Sequence, residues 1–368
     1  MLDWHQLENS KVVRLNAVLN PNLFEADLFR HYHLNPVQVE AATPAEIIPY
    51  VADCDALFAV SVKLPTPVIE SLKHCKVISR LGTGTDKIDV ATATRRGIIV
   101  TNVPYFCVEE QADHTMALLL ALERKLPQMD QATRAGAWNR ARYQSHPNRR
   151  LSALTLGLVG FGNSARATAA RARAFGMRVL ATRRNMNAPR TDADALGVEM
   201  VDLETVLRES DYVSLHLPLE KETYHLLDEA ALRKLKASAY LINTSRGAIV
   251  DEMALVKLLQ ERAIAGAGLD TFELIDVFVP DGPPPAHPLL QLDNVILTPH
   301  VAAMSIQAAQ DVARGGVENM VSILSGYWPN PENIVNRGVK PWFPLKEYDA
   351  ALLKSYTEFR MRTGVMSS

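Results

Sequence analysis

Leu154–Arg184, LTLGLVGFGNSARATAARARAFGMRVLATRR, is the stretch whose reading decides the fold. Leu154, Leu156, Leu158 and Val159 form a short apolar run suited to a strand covered on both faces. Gly160-Phe-Gly162-Asn163-Ser164-Ala165 then follows the pattern G-x-G-x-x-G/A. Gly160 permits the tight turn, Gly162 lets backbone approach a pyrophosphate, and the small Ala165 lets a helix pack closely on the strand. Asn163 to Phe175 reads as a helix stopped by Gly176, its first N–H groups facing phosphate oxygens. Met177 to Thr182 is the following strand. A glycine turn alone is weak evidence, but strand, turn, helix and strand together describe a dinucleotide-binding unit with Gly160, Gly162, Asn163 and Ser164 at the cofactor.

The end of that second strand points to which dinucleotide. An acidic residue there holds the ribose hydroxyls of NAD, whereas this chain has Thr182-Arg183-Arg184. An arginine cannot accept a hydroxyl hydrogen, but its planar fork suits a 2′-phosphate. The expectation is NADP(H) in preference to NAD(H), through Arg183 and Arg184.

The chain has 368 residues, enough for two domains. With 48% hydrophobic and 22% charged residues and a net charge of −2, there is no electrostatic case for a nucleic-acid or membrane partner. Cys54, Cys75 and Cys107 are far apart and form no C-x-x-C, so neither a disulfide framework nor a metal site is suggested. The N-terminus lacks a basic segment followed by an apolar core, and the longest apolar runs are too short to span a bilayer. A cytoplasmic location is the expectation.

Before the dinucleotide motif the chain alternates strand and helix patterns. Strand-like runs are Val12 to Leu19, Val37 to Val39, Asp55 to Val60, Val77 to Leu81 and Ile98 to Asn102. Helical patterns cover Asn22 to Tyr32, Thr43 to Val51 and Thr66 to Cys75. This alternation predicts a first parallel α/β domain. Its Gly82-Thr83-Gly84 loop follows a strand, where open α/β sheets bind ligands and free N–H groups suit a small carboxylate or phosphate. Glu109 to Arg124 is an apolar helix, and the later strands are Tyr212 to Leu217, Ala239 to Asn243, Ala265 to Asp270 and Val295 to Thr298. Met304 to Leu324 is a helix expected to return to the first domain. The predicted division is therefore a discontinuous substrate domain of residues 1–110 plus 305–340, a dinucleotide domain of 111–304, and a tail of 341–368.

The reacting groups should converge at the carboxyl ends of the later strands. Hydride transfer to a keto acid needs a cation to clamp the carboxylate, an acid near neutral pKa for the carbonyl oxygen, and a carboxylate to orient that acid. Arg246, in Asn243-Thr-Ser-Arg246-Gly-Ala-Ile-Val-Asp251, and His300, in Thr298-Pro-His300, fill the first two roles.

Several further phrases occur in order: Gly82-Thr-Gly-Thr-Asp-Lys-Ile-Asp89, Gly97-Ile-Ile-Val-Thr-Asn-Val-Pro104, His216-Leu-Pro-Leu219, Gly266-Ala-Gly-Leu-Asp270 and Asn294-Val-Ile-Leu-Thr-Pro-His300. Together they make the chain similar, over about residues 55–335, to the D-isomer-specific 2-hydroxyacid dehydrogenase family. The resemblance implies two Rossmann-like or flavodoxin-like parallel-sheet domains with the active site in the cleft between them. It implies that Arg246 binds substrate, that His300 is the acid/base, that Asp270 binds the nicotinamide amide, and that Thr83 and Gly84 hold the substrate carboxylate through their backbone. It adds His216, Pro218, Thr244, Arg246 and His300 to the cofactor-binding residues, and a homodimer joined through the dinucleotide domain.

One departure stands out. The family has a glutamate five residues after the aspartate matching Asp270, where this chain has Ile275. Asp276 is the expected substitute as partner of His300, with Glu273, Asp281 or no carboxylate as alternatives. The expected function is an NADP(H)-dependent reductase of a 2-keto acid, of the glyoxylate or hydroxypyruvate kind. A formate- or phosphite-type dehydrogenase and a dinucleotide-sensing corepressor-like protein are the alternatives. The tail, with Trp342, Phe343 and Tyr348, is expected to cover the substrate cleft or a dimer neighbour.

Overall fold

The computed structural model describes residues 4–17, 22–145, 147–278 and 282–353. The chain forms two compact units, Met1–Phe106 with Ser305–Ser368, and Cys107–Met304. The first contains five parallel strands, β1 (Val12–Leu15), β2 (Val37–Val39), β3 (Ala56–Ala59), β4 (Val77–Arg80) and β5 (Ile99–Thr101), in the order β2-β1-β3-β4-β5. Strands β1, β3 and β5 are buried at every position, so their sequences lack the polar alternation of a half-exposed strand, and the one charge among them, Arg14, is paired with Glu25 at 2.6 Å. The helix Ile306–Leu324 packs in this unit: Ala313, Val317, Met320, Val321 and Leu324 share a core with Val12, Phe58, Val77 and Ile99. The run from Val12 stops at Leu15, because Asn16 adopts a left-handed backbone.

The segment read as a separate tail is, as far as Leu353, part of the same core. Val339 is buried there, and Phe343, Leu345 and Leu353 pack against it. Trp328 donates its N–H to Lys346 O at 2.9 Å, and Lys346 donates to Gly326 O at 2.8 Å. Packing of this kind makes the segment a structural strap of its own unit.

The second unit carries seven parallel strands: β6 (Thr155–Val159), β7 (Arg178–Thr182), β8 (Glu199–Met200), β9 (Tyr212–Leu215), β10 (Tyr240–Asn243), β11 (Gly266–Leu269) and β12 (Val295–Leu297). Their order, β12-β11-β10-β9-β6-β7-β8, reverses direction at β6, so the turn after β6 sits at the switch point where doubly wound sheets bind ligands. The helix Val108–Arg124 lies in this unit, with Ala112, Thr115, Met116, Leu118, Leu119 and Leu122 buried. Among the described residues no helix is long and apolar enough to cross a membrane.

Candidate active site

The glycine turn is built as the motif requires. Gly160 has φ +98°, and a Cβ there would lie 2.3 Å from His216 O, so neither the conformation nor the space admits a side chain. Gly162 caps the helix Asn163–Ala174 and is different: an added Cβ would meet no protein atom within 4 Å. Packing does not demand glycine at this position, whereas close approach of a phosphate to the helix N-terminus does. Ala165 is fully buried against the sheet. These residues fit a dinucleotide.

His216 follows β9 and braces this turn. Its Nδ1 lies 3.1 Å from Ser164 Oγ and its Nε2 3.0 Å from Ser214 Oγ. Burial pushes the imidazole down to about 4, so the ring is neutral, with one nitrogen donating and one accepting. The Ser164 hydroxyl is thus occupied within the protein, and Asn163 Oδ1 accepts from Arg166. Exposed Pro218 accepts the Thr223 hydroxyl at its carbonyl, at 2.7 Å.

The two arginines after β7 differ. Arg183 folds back on the following loop, donating to Ala188 O and, at 2.8 Å, to Pro189 O. Arg184 is exposed and donates to Glu220, on the loop after β9. The guanidinium that faces outward is Arg184.

Arg246 sits in the turn after β10. Asn243 Nδ2 donates to Arg246 O at 2.8 Å, Ser245 Oγ donates to Leu215 O at 2.6 Å, and Arg246 itself donates to Ser245 O. The next residue fixes where the turn can lie: a Cβ on Gly247 would stand 1.9 Å from the Phe272 carbonyl carbon, so the strand-end segments 246–248 and 272–273 touch backbone to backbone. Thr244 is buried, its carbonyl accepting from Gln111 Nε2 at 2.8 Å and its hydroxyl 3.1 Å from Thr115 Oγ1.

His300 follows β12 with φ +60°, a backbone that a non-glycine residue holds only when its surroundings enforce it. Asp270 does the enforcing. Its carboxylate, 1% exposed, accepts from Thr298 Oγ1 at 2.6 Å, Val301 N at 2.9 Å and Ala302 N at 2.9 Å, bracketing His300 on both sides. His300 donates its own N–H to Thr298 O at 3.1 Å, and its ring packs on Phe278, tilted by 55° with 5.1 Å between centroids. Sequence reasoning gave Asp270 to the nicotinamide and missed this holding role.

The carboxylates after Asp270 are placed apart from the expected one. Glu273 accepts from His225 Nε2 at 2.8 Å and Tyr224 Oη at 3.1 Å, so it serves that pair. Asp276 is exposed and accepts from Phe278 N two residues on, at 3.0 Å, a local turn that orients no imidazole. Asp281 lies outside the described residues. Buried Glu252 was also missed: it accepts Glu273 N at 2.7 Å, with His287 Nε2 3.1 Å away, and so anchors the backbone on which Gly247 rests.

In the five-stranded unit, the Gly82–Gly84 loop follows β4. Thr83 is exposed, its carbonyl accepting from Asn102 Nδ2 at 2.7 Å; Gly84 O accepts from Arg80 Nε at 2.8 Å.

Comparison with known proteins agrees with this architecture. The family model described as D-isomer specific 2-hydroxyacid dehydrogenase, NAD binding domain, matches residues 116–302. A glyoxylate reductase of Korarchaeum cryptofilum is 41% identical over 324 residues, 86% of this chain and 91% of that protein. An NADPH-dependent glyoxylate/hydroxypyruvate reductase of Sinorhizobium meliloti, solved with NADP and malonate, superposes with a TM-score of 0.75 at 30% identity, covering 92% of this chain and all of its own. A D-lactate dehydrogenase of Aquifex aeolicus, solved with NAD and lactic acid, gives a TM-score of 0.78 at 26% identity over 88% of this chain and 99% of that one. With the matched nucleotide domain, the two parallel sheets and a relative of this identity over most of its length, the chain belongs to the D-isomer-specific 2-hydroxyacid dehydrogenase family and is an NAD(P)-dependent oxidoreductase.

Proposed function

We propose that the protein reduces a small 2-keto acid of the glyoxylate or hydroxypyruvate kind, with NADPH as its preferred cofactor, and that it works as a homodimer. The observation that carries this reading is the placement of Arg246 and His300 on turns after β10 and β12, in the same sheet as the Gly160–Ala165 turn. Likeness to glyoxylate reductases supports the substrate class. Bound at the glycine turn, NADPH supplies a hydride for C2 of the keto acid. Arg246 clamps the carboxylate through its guanidinium. His300 gives a proton to the carbonyl oxygen and recovers it from solvent.

Exposed Arg184 is the residue for the 2′-phosphate, while Arg183 shapes its loop. Asp270 holds the His300 backbone, and its remaining lone pairs suit the nicotinamide amide. Asp276→Asn leaves the pH–rate profile unmoved if that carboxylate stays in its local turn; a depressed acid limb restores it as the partner of His300.

The test is NADPH oxidation followed at 340 nm (the nicotinamide absorbance) against glyoxylate, hydroxypyruvate and pyruvate, repeated with NADH. Turnover with the first two and a kcat/KM ratio favouring NADPH is expected. Tight NADPH binding with no turnover of any keto acid would overturn the enzyme assignment in favour of a dinucleotide sensor. A monomeric mass in solution would remove the homodimer.

A further inference from the structure

The two turns that carry Arg246 and His300 are tied to one helix. On Val108–Arg124, Gln111, His114 and Thr115 stand at spacings i, i+3 and i+4 and therefore share a face. Gln111 Nε2 donates to Thr244 O at 2.8 Å, and Thr115 Oγ1 lies 3.1 Å from Thr244 Oγ1, two residues before Arg246. His114 Nε2 lies 3.0 Å from Thr298 Oγ1, two residues before His300. Hydrogen-bond direction settles what His114 does. The Thr298 hydroxyl gives its only hydrogen to Asp270 Oδ1 at 2.6 Å, so it accepts from His114 Nε2, the ring nitrogen that therefore carries the N–H. The chain of donors runs from His114 through Thr298 to Asp270, whose carboxylate in turn holds Val301 N and Ala302 N.

The geometry points to Gln111, His114 and Thr115 as a positioning stripe: a single rigid helix face sets the spacing between the guanidinium that holds the substrate and the imidazole that protonates it. None of the three is a catalytic residue. The stripe acts through Thr244 on one turn and through Thr298 and Asp270 on the other. A misplacement of about 1 Å between reacting groups costs on the order of a hundredfold in rate, which is the scale on which such a ruler matters. This inference rests on Arg246 and His300 being the reacting groups.

The two ends of the stripe have separable signatures. His114→Leu removes the donor to Thr298 and is expected to lower kcat about tenfold or more, shift the acid limb of the pH–rate profile, and leave KM for NADPH within twofold. His114→Gln keeps an N–H donor and should restore most of kcat. Gln111→Leu acts on the Arg246 turn and should raise KM for the keto acid with a smaller change in kcat. Thr298→Val, against Thr298→Ser, probes the same link from its other end should the His114 variant fail to fold.

Loss of kcat, NADPH affinity and thermal stability together, with no rescue by His114→Gln or Thr298→Ser, would show a merely structural helix contact and overturn the proposal. So would unchanged kinetics in all of these variants. His300→Gln and Arg246→Met separate this from the functional reading. If both retain keto-acid turnover, the catalytic assignment itself is wrong; if both lose it while the stripe variants are silent, only the stripe is wrong.

Discussion

The turn carrying His300 and the turn carrying Arg183 and Arg184 both follow strands of the seven-stranded sheet, and they are held in opposite ways. Around His300, one buried carboxylate takes three hydrogen bonds within 2.9 Å and enforces a left-handed backbone. After β7, Arg184 stands largely in solvent and pairs with the half-exposed Glu220, a contact that water and salt screen. Groups that move protons need a fixed place. A group that selects between two cofactors needs only the right charge on a reachable side chain. The first arrangement should therefore be fragile to substitution and the second tolerant.

The sharpest break of that contrast is Asp270→Asn. The amide keeps the shape but loses an acceptor, leaving Ala302 N or Val301 N facing an N–H in a buried site. We expect kcat/KM to fall on the order of a hundredfold and unfolding free energy to fall by about 2–3 kcal/mol, read by steady-state kinetics and urea denaturation. A variant within threefold of the wild type would mean that the His300 turn holds itself without Asp270.

Gly247→Ala tests the same rigidity at Arg246. The new methyl would overlap the Phe272–Glu273 backbone, which Glu252 pins from the other side, so one of the two segments has to move. Overpacking of this kind costs about 1–3 kcal/mol. Keto-acid turnover should drop roughly tenfold or more while NADPH affinity, measured by fluorescence titration, stays within twofold, because the glycine turn after β6 is untouched. Equal losses in both would place Arg246 and the cofactor turn in one unit of structure.

Much of this was legible before any coordinates. Parallel strands buried on both faces leave unbroken apolar runs, so β3, β4, β6, β9 and β10 announced themselves, as did the glycine turn. The two-residue edge strand Glu199–Met200 did not, since so short a pairing leaves no pattern. Nor did the fate of the acids after Asp270. Distance along the chain offers Glu273 and Asp276 to His300 alike, but Glu273 is claimed by Tyr224 and His225, about fifty residues earlier in the chain, and only the folded sheet brings those together. His114 went unnoticed for the same reason: its meaning lies in Thr298, 184 residues further along the chain.

On the tolerant side, Arg184→Ala should lower kcat/KM for NADPH about tenfold and leave that for NADH within twofold, with no measurable change in stability. Arg183→Ala is expected to act on both cofactors equally, because its guanidinium serves the carbonyls at Ala188 and Pro189. If Arg183→Ala instead discriminates between the cofactors and Arg184→Ala does not, the assignment of the outward arginine reverses, though the contrast with the His300 turn survives.

His216 lies between these extremes, buried like Asp270 yet placed at the cofactor turn. Burial lowers its imidazole from 6.5 to about 4 in the folded protein, so between those values the unfolded chain binds the extra proton. Its neutral form is therefore stabilising above pH 6.5, and that contribution drains away as pH falls toward 4, about 3 kcal/mol in all and about 2 between pH 7 and pH 5. Urea denaturation at those two pH values reads it directly. His216→Gln keeps hydrogen bonds to Ser164 and Ser214 but cannot titrate, so its stability should change less across the interval by about 2 kcal/mol, even if it is lower throughout. Identical slopes for wild type and variant would mean that the imidazole is not desolvated in the native state, and that the turn at Gly160–Ala165 is held as loosely as the arginines beside it.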